Sequence, residues 1–172
     1  MKLAWWQYSV AMSDTPVAYF ITFRAYGTWL PGDRRGAIRH ASATSASAPI
    51  PSNRGLEFQS RGLLHGDPVG FDKPCREALT VAIGEVCEVR GWNLLPLNVR
   101  TNHVHLVVQC DASPERAMSQ FKSYATRRMV LEGLFPASAR PWAWHGSTRY
   151  LWSDQDVEDT WAYVIHGQGP DL

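Results

Sequence analysis

Two histidines separated by a single residue stand at the start of an apolar run, His103-Val104-His105-Leu106-Val107-Val108-Gln109. Its composition is that of a strand. Alternate strand residues point to opposite faces, so His103 and His105 point together while Val104, Leu106 and Val108 point the other way. The apolar set must face the core. The imidazoles then lie on the sheet's open face, about 7 Å apart along the strand. Two neutral imidazoles on one face can grip one divalent cation; the alternative is a pair of ordinary structural histidines.

Such a site wants a third ligand and a reacting group, and two helical tyrosines are candidates. At about 100° per residue, Tyr124 shares a face with Ala117, Phe121 and Arg128, which predicts a core tyrosine. In the last helix the apolar stripe reads Val157, Trp161, Val164 and Ile165. Tyr163 falls outside that stripe, beside Asp156, Asp159 and Thr160, where it either presents its hydroxyl or is an ordinary surface tyrosine. His166 and Gln168 flank Gly167, and either is placed to reach a metal once the helix breaks there.

The elements that must position these groups are legible in outline. Val17 to Phe23 reads as a buried strand. Asp72 caps a helix with Pro74 in its first turn, Leu79, Ile83, Val86 and Arg90 at helical spacing, and Gly91 at its end. Asn93 to Val99 is a strand with Leu95, Leu97 and Val99 on one face and Pro96 marking an edge or bulge. Thr101-Asn102 turns the chain into the histidine strand. Ser113 and Pro114 open a second helix that Gly133 stops. Thr148 to Trp152 is a short strand after a Pro- and Trp-rich connection, and Ser153 or Asp154 caps the last helix, which runs to about His166. The order β-(insertion)-α-β-β-α-β-α predicts an α+β chain of the ferredoxin-like, split βαβ kind. Two helices lie on one face of an antiparallel sheet, and a C-terminal helix carries Tyr163. The insertion, residues 31 to about 70, is rich in Arg, Ser, Ala, Gly and Pro, and its order is expected to depend on a bound partner.

At 172 residues, 45% hydrophobic and 19% charged, the chain is a single domain with enough apolar residues for a core. No apolar run reaches the ~20 residues of a membrane span. The start is no signal peptide, and Met12 is a second candidate start. Cys75, Cys87 and Cys110 form no CxxC pair, which argues against a disulfide scaffold and for the reduced thiols of a cytoplasmic protein. A net charge of +1 excludes binding by bulk charge but not a local basic face. Arg24, Arg34, Arg35, Arg39, Arg54 and Arg61 crowd the first part against Asp33 and Glu57; Lys122, Arg127 and Arg128 fall on the second helix. Arg149 either meets a nucleic acid or pairs with the acidic start of the last helix. Trp29, Trp142, Trp144 and Trp152 either stack unpaired bases or fill the core.

The run Asn102-His103-Val104-His105-Leu106-Val107-Val108 resembles the HUH motif of single-strand DNA nucleases. With Gly146 to Trp152 and the helix bearing Tyr163 and Gln168, residues 17 to 170 resemble single-tyrosine transposases, most closely the REP-associated tyrosine transposase-like branch. The opening Tyr19-Phe20-Ile21-Thr22-Phe23-Arg24-Ala25-Tyr26-Gly27-Thr28-Trp29-Leu30 fits as well. The resemblance implies that His103 and His105 bind Mg²⁺ or Mn²⁺ and that Tyr163 attacks the scissile phosphate, giving a 5′-phosphotyrosine and a free 3′-hydroxyl. The family's third ligand commonly lies one turn after the tyrosine. Position 167 is Gly, so Gln168 is the candidate and His166 the substitute. Single-stranded or hairpin DNA is the implied partner, for a monomer or a homodimer. The charge distribution makes Arg24, Arg34, Arg35, Lys122, Arg127 and Arg149 the candidate DNA contacts. One rival is a catalytically inactive descendant that still binds hairpin DNA. Another, a histidine-triad hydrolase, needs a third histidine where Val107 stands.

Overall fold

The computed structural model describes residues 15–34, 37–38 and 49–167. Strand β1, Ala18–Ala25, alternates between fully and partly buried residues. Two dipeptides, β2 (Ala37–Ile38) and β3 (Pro49–Ile50), pair with each other. Helix α1, Arg54–Gly62, follows. The remaining elements are α2 (Lys73–Arg90), β4 (Asn93–Val99), β5 (His103–Gln109), α3 (Pro114–Leu131), β6 (Trp142–Leu151) and α4 (Asp154–His166). The main sheet has the order β4-β5-β1-β6, and every neighbouring pair is antiparallel. This is the split βαβ arrangement the sequence predicts, with α4 added on the second face. Among the described residues no helix is long and apolar enough to cross a membrane.

Local chemistry sets the helix ends. The Asp72 carboxylate accepts from the Cys75 amide and opens α2, and Gly91 closes it at φ 68°, a left-handed conformation that costs glycine little. Ser113 caps α3. Ser153 and Asp156 form a reciprocal capping box at α4. The main core lies between the sheet and α2/α3, where Ile21, Phe23, Val104, Leu106 and Val108 meet Ile83, Val86, Ala117 and Phe121. A smaller cluster of Ala18, Val107, Leu151 and Val164 joins α4 to the other face.

Within the insertion lies helix α1, capped by Asn53, with no buried residue; residues 35–36 and 39–48, with Arg35 and Arg39, lie outside the described residues. Several other expectations are corrected. Leu95 does not share a face with Leu97 and Val99. A register shift between Leu94 and Leu97 sends Leu95 towards α4 and the other two into the main core. Strand β6 begins at Trp142, not Thr148. Its Gly146 lets the strand lie against the Thr22 carbonyl and Met118, where a Cβ would collide with both. Tyr124 is not a core residue but 41% exposed, with the Arg127 guanidinium over its ring. On α4 the buried residues are Thr160 and Val164, while Trp161 and Ile165 are exposed. Thr160 is tolerated there because its hydroxyl donates to the Asp156 carbonyl and accepts from Arg149.

Candidate active site

Strand register assembles the site. On the α4 side of the sheet, Arg24 pairs with His103, Thr22 pairs with His105, and Asn98 stands opposite His105 from the other neighbour. The two histidines do point together, with ring centroids 4.6 Å apart. Their face is not open, as the sequence implied: α4 lies across part of it, and His105 is only 5% exposed.

Each imidazole is oriented by a neighbouring oxygen. His103 Nδ1 lies 2.6 Å from Asn102 Oδ1. A carbonyl oxygen only accepts, so Nδ1 donates and Nε2 carries the lone pair. That Nε2 is withdrawn from solvent. His105 Nδ1 lies 2.7 Å from the Thr22 hydroxyl. This resembles the outer shell that metal-binding histidines ordinarily have, in which Nε2 is the atom that faces the ion. The pair therefore fits a divalent ion as two of its ligands. No cluster of three His, Cys, Asp or Glu suited to a metal forms among the described residues.

The tyrosine reaches the pair from a different element. Tyr163 is 47% exposed, and its ring centroid lies 5.8 Å from that of His105. Phe20 sets this spacing. It stacks on His105 at 5.6 Å and meets Tyr163 edge-on at 6.0 Å. Helix α4 is held to the sheet from both sides. Asn98 Nδ2 donates to the Val164 carbonyl at 2.8 Å, and Arg149 Nη2 donates to Thr160 Oγ1 at 2.6 Å. The first bond gives a carbonyl of the last helical turn a side-chain partner from the sheet.

The other candidate residues divide. Arg24 is partly buried on the site face, its Nη1 donates to the Trp29 carbonyl, and burial lowers its pKa. Arg149 lies on the same face, with its guanidinium over Phe20. Arg34 is exposed. Lys122 is not with them. It sits between α3 and β6 and donates to the Ala143 and His145 carbonyls, and burial pushes its ammonium pKa down to about 8. Arg127 is exposed on α3, against Tyr124. His166 does not cluster with the two histidines; its ring packs against Trp161 on the exposed side of α4. Gln168 lies outside the described residues. Of the tryptophans, Trp142 is bonded into the core side, Trp144 is almost fully exposed, and Trp29 lies against His103. Sequence reasoning missed Thr22, Phe20, Asn98 and Asn102 as supporting residues. Thr22 carried a readable signal, a hydroxyl between Ile21 and Phe23 in an otherwise apolar strand.

No curated protein matches the chain. Among solved structures, a REP-associated tyrosine transposase bound to a REP hairpin is similar at 10% identity, with a TM-score of 0.49, over 89% of this chain and 67% of that one. The family described as "Transposase IS200 like" matches residues 68–160, more than half of the chain. The matched stretch contains both histidines and the first half of α4, and it ends just before Tyr163. The chain belongs to the IS200-like transposase family.

Proposed function

We propose that this protein is a single-tyrosine nuclease and strand transferase that cuts and rejoins single-stranded DNA beside hairpin-forming repeats. The observation that carries the reading is the convergence of Tyr163 on His105 across 5.8 Å from an independent helix. The Tyr163 oxygen attacks the scissile phosphorus, an O–P bond forms, and the bond to the 3′ oxygen breaks. The phenol proton is lost, and the departing 3′ oxygen takes one up. A 5′-phosphotyrosine and a 3′-hydroxyl result, and because the new ester keeps the reactivity of a phosphodiester, a 3′-hydroxyl can reverse the step and join strands.

His103 and His105 would hold the divalent ion through Nε2, with Gln168 the candidate for a third position. When bound, Mg²⁺ or Mn²⁺ supplies Lewis-acid polarisation of the phosphate. Asn102 and Thr22 keep the imidazoles oriented for it. Phe20 sets the distance between tyrosine and histidine, and Asn98 and Arg149 hold α4 at that distance. Both histidines and the tyrosine come from one chain, joined through the short Trp152-Ser153 link between β6 and α4.

The test is a covalent trap. A labelled single strand carrying a hairpin is incubated with protein in Mg²⁺ and run on a denaturing gel. Wild type should give a protein–DNA adduct whose peptide mass places the DNA on Tyr163, and Tyr163→Phe should give none. DNA on Tyr124 or Tyr150 would overturn the assignment. Binding with no adduct from wild type would favour the inactive, hairpin-binding descendant.

A further inference from the structure

Four rings stand in sequence across the site face. Trp29 lies 4.7 Å from His103, His103 lies 4.6 Å from His105, and His105 lies 5.8 Å from Tyr163. The nucleophile is thus at one end of the histidine pair and an indole at the other. Trp29 is held there at a cost. Its φ is +50°, the one non-glycine residue with positive φ among the described residues. For a bulky side chain that is a strained conformation, kept only when its surroundings enforce it.

The surroundings do enforce it. Arg24 Nη1 grips the Trp29 carbonyl, and the Thr28 hydroxyl donates to the Ala25 carbonyl. Gly27, at φ +73°, fits against Pro68 so closely that a Cβ would touch it. The Tyr26 carbonyl and hydroxyl accept from the Val69 and His65 amides. Yet the indole is only partly buried and belongs to none of the three core clusters. A strained backbone that puts a large flat ring beside the histidines, without placing it in the core, is built for something other than packing.

We propose that Trp29 is the stacking platform for the unpaired base on the departing side of the cut, the nucleotide that ends in the 3′-hydroxyl. The side assignment rests on the cleavage reading above. In phosphoryl transfer the attacking and leaving oxygens lie roughly in line through phosphorus. A phosphate over the histidine pair with Tyr163 on one side has its departing oxygen on the other, where Trp29 stands. Every base has a π-face, so such a platform holds the strand without reading its sequence.

Trp29→Gly separates this role from folding, because glycine adopts φ +50° without strain. Binding of a labelled twenty-residue oligodeoxyadenylate is followed by fluorescence anisotropy in EDTA. Trp29→Gly should bind about tenfold or more weakly while its Tm equals or exceeds that of wild type, and Trp29→Phe should stay close to wild type. Wild-type affinity in Trp29→Gly, or a loss in Trp29→Phe as large as in Trp29→Gly, overturns the platform. A second arm uses the oligonucleotide that yields the Tyr163 adduct, in a Tyr163→Phe background with and without Trp29→Gly. An abasic site at the nucleotide on the 3′-hydroxyl side should abolish the affinity difference between those two proteins, and one on the 5′-phosphate side should preserve it; the reverse overturns the side assignment. If wild type forms no adduct, the cleavage reading and the side assignment fall with it, and the first arm still decides whether Trp29 is a base platform.

Discussion

The two faces of the main sheet are made from the same strands and obey different rules. Towards α2 and α3, β1 and β5 present Ile21, Phe23, Ala25, Val104, Leu106 and Val108, all fully buried. Towards α4 they present Phe20, Thr22, Arg24, His103 and His105 in alternation with them. Two 18-residue helices cover the first face with seven and six buried residues; one 13-residue helix covers the second with two. Apolar burial at roughly 25 cal/mol per Å² therefore concentrates on one side, and the other has only the small cluster of Ala18, Val107, Leu151 and Val164, with hydrogen bonds from Asn98 and Arg149 to α4. Stability and chemistry are divided by the pleat, one residue apart along a single strand.

Adjacent residues on β5 test that division most severely. His105→Ala should reduce adduct formation below detection, since it removes both a proposed metal ligand and the ring that faces Tyr163. It also strips the Thr22 hydroxyl of its partner, for a stability loss of about 1–3 kcal/mol. Leu106→Ala, pointing into the core, should cost about 2–5 kcal/mol and leave the protein that remains folded able to form the adduct. Urea unfolding and the denaturing gel measure both quantities on the same samples. If His105→Ala proves the less stable of the two, the second face carries more of the fold than its burial indicates.

How far this arrangement is legible in the sequence follows from the same alternation. Period-two patterning in β5 and cap residues at α2, α3 and α4 are local signals, and they put the two histidines on one face and the helix starts where the structure has them. What fails depends on contacts distant in sequence. Helical angle alone assigns Tyr124 to the core, but it sits at the margin of the stripe formed by Ala117, Met118, Phe121, Ala125 and Met129, where a long side chain turns outward. The same angle assigns Thr160 to the polar side of α4, yet Arg149, from β6, makes its burial favourable. The early start of β6 rests on Gly146 passing the Thr22 carbonyl and Met118, a tertiary fit that composition does not reveal. The strained Trp29 backbone is likewise fixed by Arg24 and by the packing of Gly27 on Pro68.

Asn98 offers a smaller test of the weakly covered face. Its side chain donates to the Val164 carbonyl, next to the tyrosine. Asn98→Ala should cost about 1 kcal/mol and slow adduct formation while leaving oligonucleotide affinity nearly unchanged, because it loosens the position of α4 and not the strand's binding surface. Equal losses in rate and affinity would show that α4 itself contributes to binding. Smaller still is Tyr124→Ala. The ring is 41% exposed and its clearest partner is Arg127 at 5.4 Å. Truncation should cost about 1 kcal/mol or less, far below the loss expected of a core tyrosine.

The finest test concerns a charge on the wrong side of the division. Lys122 lies on the packed face, between α3 and β6, with its ammonium 5.9 Å from the centre of the Phe23 ring. Burial, with the Arg24 charge adding to it, lowers its pKa from the ordinary 10.5 to about 8. Below about pH 8 the group is charged in both states and the cost of burying that charge is fully present. Between about 8 and 10.5 the unfolded chain holds a proton that the folded one has released, so stability rises with pH. The buried thiols act in the opposite sense. Burial raises Cys75 from 9.0 to about 12 and Cys87 to about 11. Above about pH 9 their unfolded forms ionise while the folded ones stay protonated, and stability falls as pH rises. The lysine therefore acts without them between about pH 8 and 9. Urea midpoints at pH 8, 9 and 10.5 should rise and then fall in wild type. Lys122→Met should lose the rise and keep the fall. It also removes a donor from the Ala143 and His145 carbonyls, but that cost does not vary with pH, so the slope isolates the titration. Cys87→Ala should keep the rise and weaken the fall. An unchanged slope in Lys122→Met would mean that water reaches the ammonium, and that the packed face is less sealed around Phe23 than its burial implies.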